Sequence, residues 1–155
     1  MHENGENMKL YIDGDASPVK NEVIDIARRY QLDVVIVTSI DHYTRKEYAD
    51  NVHFHYVDKG NEMADYRIVA LIEAGDLLIT QDYGLASLVL TKARVLHHNG
   101  WEYTRDNIEE LLLRRYHSGQ MRKAGLRTKG PKAFTSEQRE IFRRSLDKIV
   151  RESIR

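Results

Sequence analysis

Hydrophobic positions along the chain fall into short blocks whose period switches repeatedly between two and about 3.6 residues, the mark of strands alternating with helices. Residues 9–13 put Leu10 and Ile12 on one face and halt at Gly14, which predicts a strand ending at Asp13. Ser17 and Pro18 then stand as cap and first residue of a helix in which Val19, Val23, Ile26, Ala27 and Tyr30 recur at helical spacing. Residues 34–37 are an unbroken β-branched run, which predicts a strand covered on both faces and therefore parallel pairing. Residues 40–51 are polar and aromatic and receive no assignment. Val52, Phe54 and Tyr56 alternate with His53 and His55 up to Asp58, describing a third strand near a sheet edge. A helix over 61–74 buries Ala64, Ile68, Leu71 and Ile72 and stops at Gly75. A fourth strand over 77–80 leads to Asp82, a helix covers 85–92, and a fifth strand covers 95–97. Helix-length crossovers between buried strands impose right-handed connections, so the expected fold is α/β, a three-layer parallel five-stranded sheet with helices on both faces.

Beyond the sheet, Asp106 is placed to cap a helix whose Ile108, Leu111, Leu112 and Tyr116 face inward. Residues 118–133 are rich in Gly, Lys and Arg and read as a linker or binding loop. Thr135 and Gln138 form a capping-box pattern ahead of a last helix, with Phe142, Leu146, Ile149 and Val150 on one stripe that docks on the body. The expected division is a polar leader or remnant at 1–7, an α/β domain at 8–117, and a basic loop with C-terminal helix at 118–155 packed on the same domain.

Composition narrows the chemistry. The 155 residues contain no cysteine, which excludes disulfides, thiolate metal sites and a cysteine nucleophile and agrees with a cytoplasmic location. No apolar run approaches the roughly 20 residues that a bilayer requires. The net charge is zero, yet residues 1–113 sum to −9 and residues 114–155 to +9. Either the two parts neutralise each other on folding, or the basic part awaits a polyanion.

Acids recur where the strands end: Asp13 with Asp15 two residues on, Asp58, and Asp82, while Asp65 lies early in the helix after the third strand and Glu62 one turn before it. Ligands of open parallel sheets bind at the carboxyl ends of strands. Two carboxylates ~5 Å apart at an effective dielectric of ~20 repel by about 3 kcal/mol, so such a rim needs a cation or a shared proton. Oxygen-only donors suit Mg²⁺ or Mn²⁺, which activate water and steady a leaving phosphodiester oxygen. Individually the acids have plainer roles: Asp15 in a turn, Asp58 in a loop, Asp65 paired with Arg67 or Lys59. The histidines lack clear metal-ligand spacing and read as surface or capping residues. Phosphate loop, dinucleotide fingerprint and serine elbow are all missing.

Four ordered stretches, Asp13-Gly-Asp15-Ala-Ser-Pro18, Gly60-Asn-Glu-Met-Ala64-Asp65, Asp76-Leu-Leu-Ile-Thr80-Gln-Asp82-Tyr-Gly-Leu-Ala86 and Gly130-Pro131 before Phe134, resemble the YaiI/YqxD family of bacterial proteins. More distantly the pattern is similar to PIN-like domains, metal-dependent ribonucleases with a parallel sheet and an acidic pocket. That resemblance implies Asp13, Asp65 and Asp82 as catalytic acids and, with Asp15, as ligands of Mg or Mn. Thr80 and Glu62 would support them from outside. A further helical glutamate of PIN domains has no motif here, and only position offers Glu22 or Glu47. Ser17 stands where relatives often have cysteine.

The leading expectation is a Mg/Mn-dependent endonuclease of RNA, with Arg122, Lys123, Arg127, Lys129 and Lys132 neutralising phosphates. The alternative is a nucleic-acid-binding or regulatory PIN-like module without turnover. Ranked third, Asp13-Gly-Asp15 would be the nucleophile and acid of a haloacid-dehalogenase-type phosphatase, although Ser17 replaces the residue that usually closes that motif. No membrane partner is expected, and a homo-oligomer is compatible with the sequence.

Overall fold

A computed structural model describes residues 8–14, 17–60, 62–125 and 133–154. In chain order the elements are β1 (Lys9–Asp13), α1 (Lys20–Tyr30), β2 (Asp33–Ser39), a 3₁₀ turn (Ile40–His42), β3 (Val52–Val57), α2 (Met63–Leu71), β4 (Leu77–Ile79), α3 (Tyr83–Val89), β5 (Arg94–Leu96), β6 (Glu102–Tyr103), α4 (Arg105–Lys123) and α5 (Ser136–Ser153). The strands form one sheet in the order β3-β2-β1-β4-β5-β6. Strands β1 to β5 pair in parallel, and β6 adds an antiparallel edge to β5.

The period-two alternation of the central strands sorts their side chains to two cores. Leu10, Ile12, Val34, Ile36, Ile79 and Leu96 meet α1 and α5 on one face. Tyr11, Val35, Val37, Leu78 and Val95 meet α2 and α3 on the other. Both faces are apolar because both are covered, which is why the 34–37 run contains no polar residue. The chain leaves β1 toward β2 and β3 on one side, then returns through α2 to place β4 on the other. Strand order therefore reverses between β1 and β4, and the connections that leave the carboxyl ends of those two strands run to opposite sides there.

Several expectations need correction. The sheet is mixed and six-stranded: two residues of β6 close the far edge against β5, a segment too short for any periodicity to register. Val19 takes the N-cap of α1 while the Ser17 hydroxyl accepts from Val19 N at 3.4 Å, so Pro18 stands outside the helix. Its carbonyl instead accepts from Arg139. Thr104, not Asp106, exchanges reciprocal hydrogen bonds with Asn107 at the start of α4. That helix continues through residues 118–123, part of the expected linker, and its Tyr116 is 60% exposed and not buried. The Thr135–Gln138 capping box and the buried stripe of α5 are present as expected.

Candidate functional site at the strand-order reversal

The register that pairs Ile12 with Ile79 sets Asp13 and Thr80 side by side at the ends of β1 and β4. Thr80 is buried and fully committed: Oγ1 donates to Asp13 Oδ2 at 3.1 Å and accepts from Asp82 N at 3.0 Å. Its backbone N donates to Leu96 O at 3.1 Å and its carbonyl accepts from the Tyr103 hydroxyl at 3.2 Å. Burial, then Tyr83 and Asp82, push the Tyr103 phenol up, which keeps that donor protonated. Gly14 directs the chain away from Asp13 against β2, where a Cβ would meet Ile36 Cγ2 at 2.8 Å and the Val37 carbonyl at 3.1 Å. Beside these groups lies a crevice of about 10 Å³ lined by Asp13, Ser17, Ile79, Thr80, Gln81 and His98. That is about the space of one water molecule.

Asp82 is tied down differently. As N-cap of α3 its Oδ1 accepts from Leu85 N at 3.1 Å, and Arg115 Nη1 of α4 approaches the same oxygen at 3.4 Å. Gly84 makes room for that arginine, since a Cβ there would lie 2.8 Å from Arg115 Nη1. The structure therefore ties the Asp13 carboxylate and the Asp82 backbone to one threonine hydroxyl, with an arginine over the Asp82 side chain. Asp65 is half-buried in the first turn of α2. Glu62 is the N-cap of α2, exposed and in the left-handed region (φ 67°), with Oε2 accepting from the Tyr66 hydroxyl at 3.3 Å. Asp58 is exposed. Among the described residues no three His, Asp or Glu side chains converge as a group able to hold a metal ion. Asp15, Arg127, Lys129 and Lys132 lie outside the described residues; Lys123 is exposed in the last turn of α4, which also contains Arg122.

Four contributors have roles that the sequence does not assign, although position offers Glu22 for a PIN-like glutamate and His98 reads as a surface or capping residue. Asp76 is buried at the opposite end of β4, where its carboxylate accepts from Lys9 N and Glu73 N, both at 2.9 Å, and holds the start of β1. The other three are Arg115, His98 and the Glu22–Arg139 pair. Arg139 Nη1 donates to Pro18 O at 2.6 Å and to Glu22 Oε2 at 3.1 Å, while Glu22 Oε1 is buried with no hydrogen-bond partner. The Arg139 guanidinium also lies 4.9 Å over the Phe134 ring, whose edge contact with His98 is 5.2 Å between centroids. Further along the α1–α5 seam, Arg143 pairs with Asp25 at 3.6 Å, and Asp147 takes Arg29 at 3.3 Å and Arg151 at 2.9 Å. Neutralisation within the chain is thus the role of much of α5's positive charge.

Of the surface or capping roles expected for the histidines, His97 takes the capping one and is buried. It is 6% exposed and stacked on Trp101 at 4.4 Å, and its Nδ1 accepts from Asn99 N at 3.0 Å, a turn-capping bond. Burial, with a smaller contribution from His98, pushes the His97 imidazole down to about 3. Unfolding restores an ordinary value of about 6.5, so the unfolded chain binds the extra proton between those limits and stability falls as pH drops below about 6.5. At pH 5 the expected penalty from this residue is about 2 kcal/mol. Urea titrations at pH 7 and pH 5 should show His97→Gln losing less stability across that interval than the parent; equal losses would refute the assignment.

Residues 11–152 match the profile of a family described as "Uncharacterized BCR, YaiI/YqxD family". The chain belongs to the YaiI/YqxD family. A UPF0178 protein of Enterococcus faecalis (strain ATCC 700802 / V583) is 58% identical over 148 residues, covering 95% of this chain and all of that relative. A UPF0178 protein of Bacillus cereus (strain AH187) is 54% identical over 137 residues, 88% of this chain and 94% of the relative. One of Bacillus anthracis (strain A0248) is 53% identical over the same length and shares. No solved structure matches this YaiI/YqxD chain. None of its helices, among the described residues, is long and apolar enough to cross a membrane.

Proposed function

We propose that this YaiI/YqxD protein is a PIN-like phosphodiester hydrolase acting on RNA at the carboxyl ends of β1 and β4. The observation that carries the reading is the Thr80 hydroxyl that holds the Asp13 carboxylate and the Asp82 backbone N at the reversal of strand order, where open α/β sheets bind ligands. Asp13 and Asp82 supply the oxygen donors that Mg²⁺ or Mn²⁺ takes, with Asp65 and Asp15 as the remaining acids of the proposed set. Thr80 holds one Asp13 oxygen in place beside the crevice that both residues line. A divalent cation bound there would supply an activated water and charge stabilisation for the leaving oxygen. Two donors are fewer than a complete ligand set, and Arg115 occupies Asp82, so cation entry requires that arginine to move.

The decisive assay is cleavage of single-stranded RNA with Mn²⁺. Asp13→Asn, close to isosteric, should lower the rate about tenfold or more while leaving the thermal midpoint within a few degrees. Undiminished cleavage by Asp13→Asn, or none by the parent protein, rejects the hydrolase. The Asp82–Arg115 pair favours the second reading, a nucleic-acid-binding module without turnover, which predicts salt-sensitive RNA binding in the absence of cleavage.

A further inference from the structure

The second half of α4 is an unusual surface. From Leu111 to its end at Lys123 the helix carries four Lys or Arg and no Asp or Glu. Within α4, Leu112, Arg115, Tyr116, Gly119, Gln120 and Lys123 recur every three or four residues and therefore share one face. They line an open groove of about 370 Å³. Tyr116 is 60% exposed, and nothing stands within 4 Å of where a Gly119 side chain would begin, so the ring borders a bare stretch of helix backbone. Arg115 and Lys123 are eight residues apart, about 12 Å along the axis, one at each end of the groove. The groove also reaches the strand ends, because Arg115 is the residue that contacts Asp82.

We infer that this face of α4 is a track for single-stranded nucleic acid, with Tyr116 stacking a base and Arg115 and Lys123 pairing with phosphates on either side. The inference rests on the proposed RNA reading and names where that ligand lies. An exposed aromatic ring flanked by cations on a helix face that carries no acid of its own suits a stacked base with a charged backbone. A second copy of the chain is a poor occupant, since face-to-face α4 helices would bring the cations of one face against those of the other, with no acid on either face. Arg115 gives the track a consequence for the acids. A phosphate that draws its guanidinium away uncovers Asp82, so ligand entry and release of that carboxylate are one event. Conversely, Asp82 competes with the ligand for Arg115.

The test is fluorescence anisotropy of the full chain with a labelled oligouridine in EDTA, where metal-dependent cleavage is silent. Tyr116→Ala should weaken binding about tenfold. Lys123→Ala should weaken it and flatten the dependence of log affinity on log salt by about 0.7. Asp82→Asn should tighten binding severalfold by freeing Arg115. All three sites are exposed or half-exposed, so folding is expected to survive. Affinity unchanged in both Tyr116→Ala and Lys123→Ala, or no oligouridine binding by the parent chain, overturns the track. So does a concentration-dependent dimer, or adsorption to phosphatidylglycerol vesicles, that Tyr116→Ala abolishes while RNA binding persists. Track-dependent binding without Mn²⁺ cleavage would reject only the hydrolase; cleavage with binding indifferent to these substitutions would reject only the track.

Discussion

Arg139→Leu should destabilise the protein by about 3 kcal/mol, far more than an ordinary surface ion pair warrants. The difference lies in the partner. Glu22 sits in the first turn of α1 with its side chain 6% exposed, and one of its oxygens already lacks a hydrogen bond. Removing Arg139 leaves that carboxylate buried without any compensating charge, and it also removes a donor to the Pro18 carbonyl and a cation over Phe134. Arg139 is itself 39% exposed, which places the expected cost at the low end of the range for broken buried pairs. The double substitution Glu22→Leu/Arg139→Leu should recover most of the loss, because it deletes the stranded charge together with its partner. Urea denaturation of both variants settles the matter: a double variant as unstable as Arg139→Leu alone would show that packing, and not the buried carboxylate, sets the cost.

Phe142→Ala should cost about 3–5 kcal/mol. Phe142 is completely buried in the core between α1, α5 and the sheet face that carries Leu10, Ile12 and Ile36. A benzyl group removed from that position leaves a void that neighbours on a β-sheet cannot refill without disturbing strand pairing. The substitution should also reach the crevice. One residue earlier, Ile141 packs against Gly100, where a Cβ would lie 2.9 Å from Ile141 Cγ2. Gly100 is at φ +95°, so it provides both the backbone conformation and the close approach that seat the turn following β5 on α5. That turn bears His97 and His98. A loosened α5 is therefore expected to broaden the His98 imidazole resonances as well as lower the urea midpoint; a loss under about 1 kcal/mol would mean that α5 contributes little to the core.

Most element positions were legible because they depend on local periodicity. The β-branched run at Val34–Val37 could only be a strand buried twice, and the stripe of Phe142, Leu146, Ile149 and Val150 could only be the inner face of a helix. Strand β6 escaped notice because two residues have no period, and α4 was misjudged because it has no continuous apolar stripe beyond Leu112. Tyr116 follows Ile108 and Leu112 at helical spacing, yet the body ends before the helix does, so the last apolar position of the stripe meets solvent. At the candidate site, the placing of Asp13 and Thr80 at the ends of strands follows from both closing short apolar runs, whereas the adjacency of those strands does not. Arg115 could not be found that way: it is 33 residues from Asp82, in a helix whose direction no motif specifies.

By itself, the order of apolar and polar residues determined that this chain is α/β, that β1 ends in an acid and β4 is followed by one three residues on, and that α5 docks through a capped amphipathic stripe. Those features depend on contacts within a few residues, where side-chain period and turn chemistry suffice. Tertiary structure decided the order β3-β2-β1-β4-β5-β6, the hydroxyl bridge from Thr80 to Asp13 across 67 residues, and the pairing of Arg139 and Arg143 of α5 with Glu22 and Asp25 of α1. A pattern specifies which face of an element is buried. Which charged group then meets which depends on strand register and helix direction, and these are selected only when the whole core packs at once.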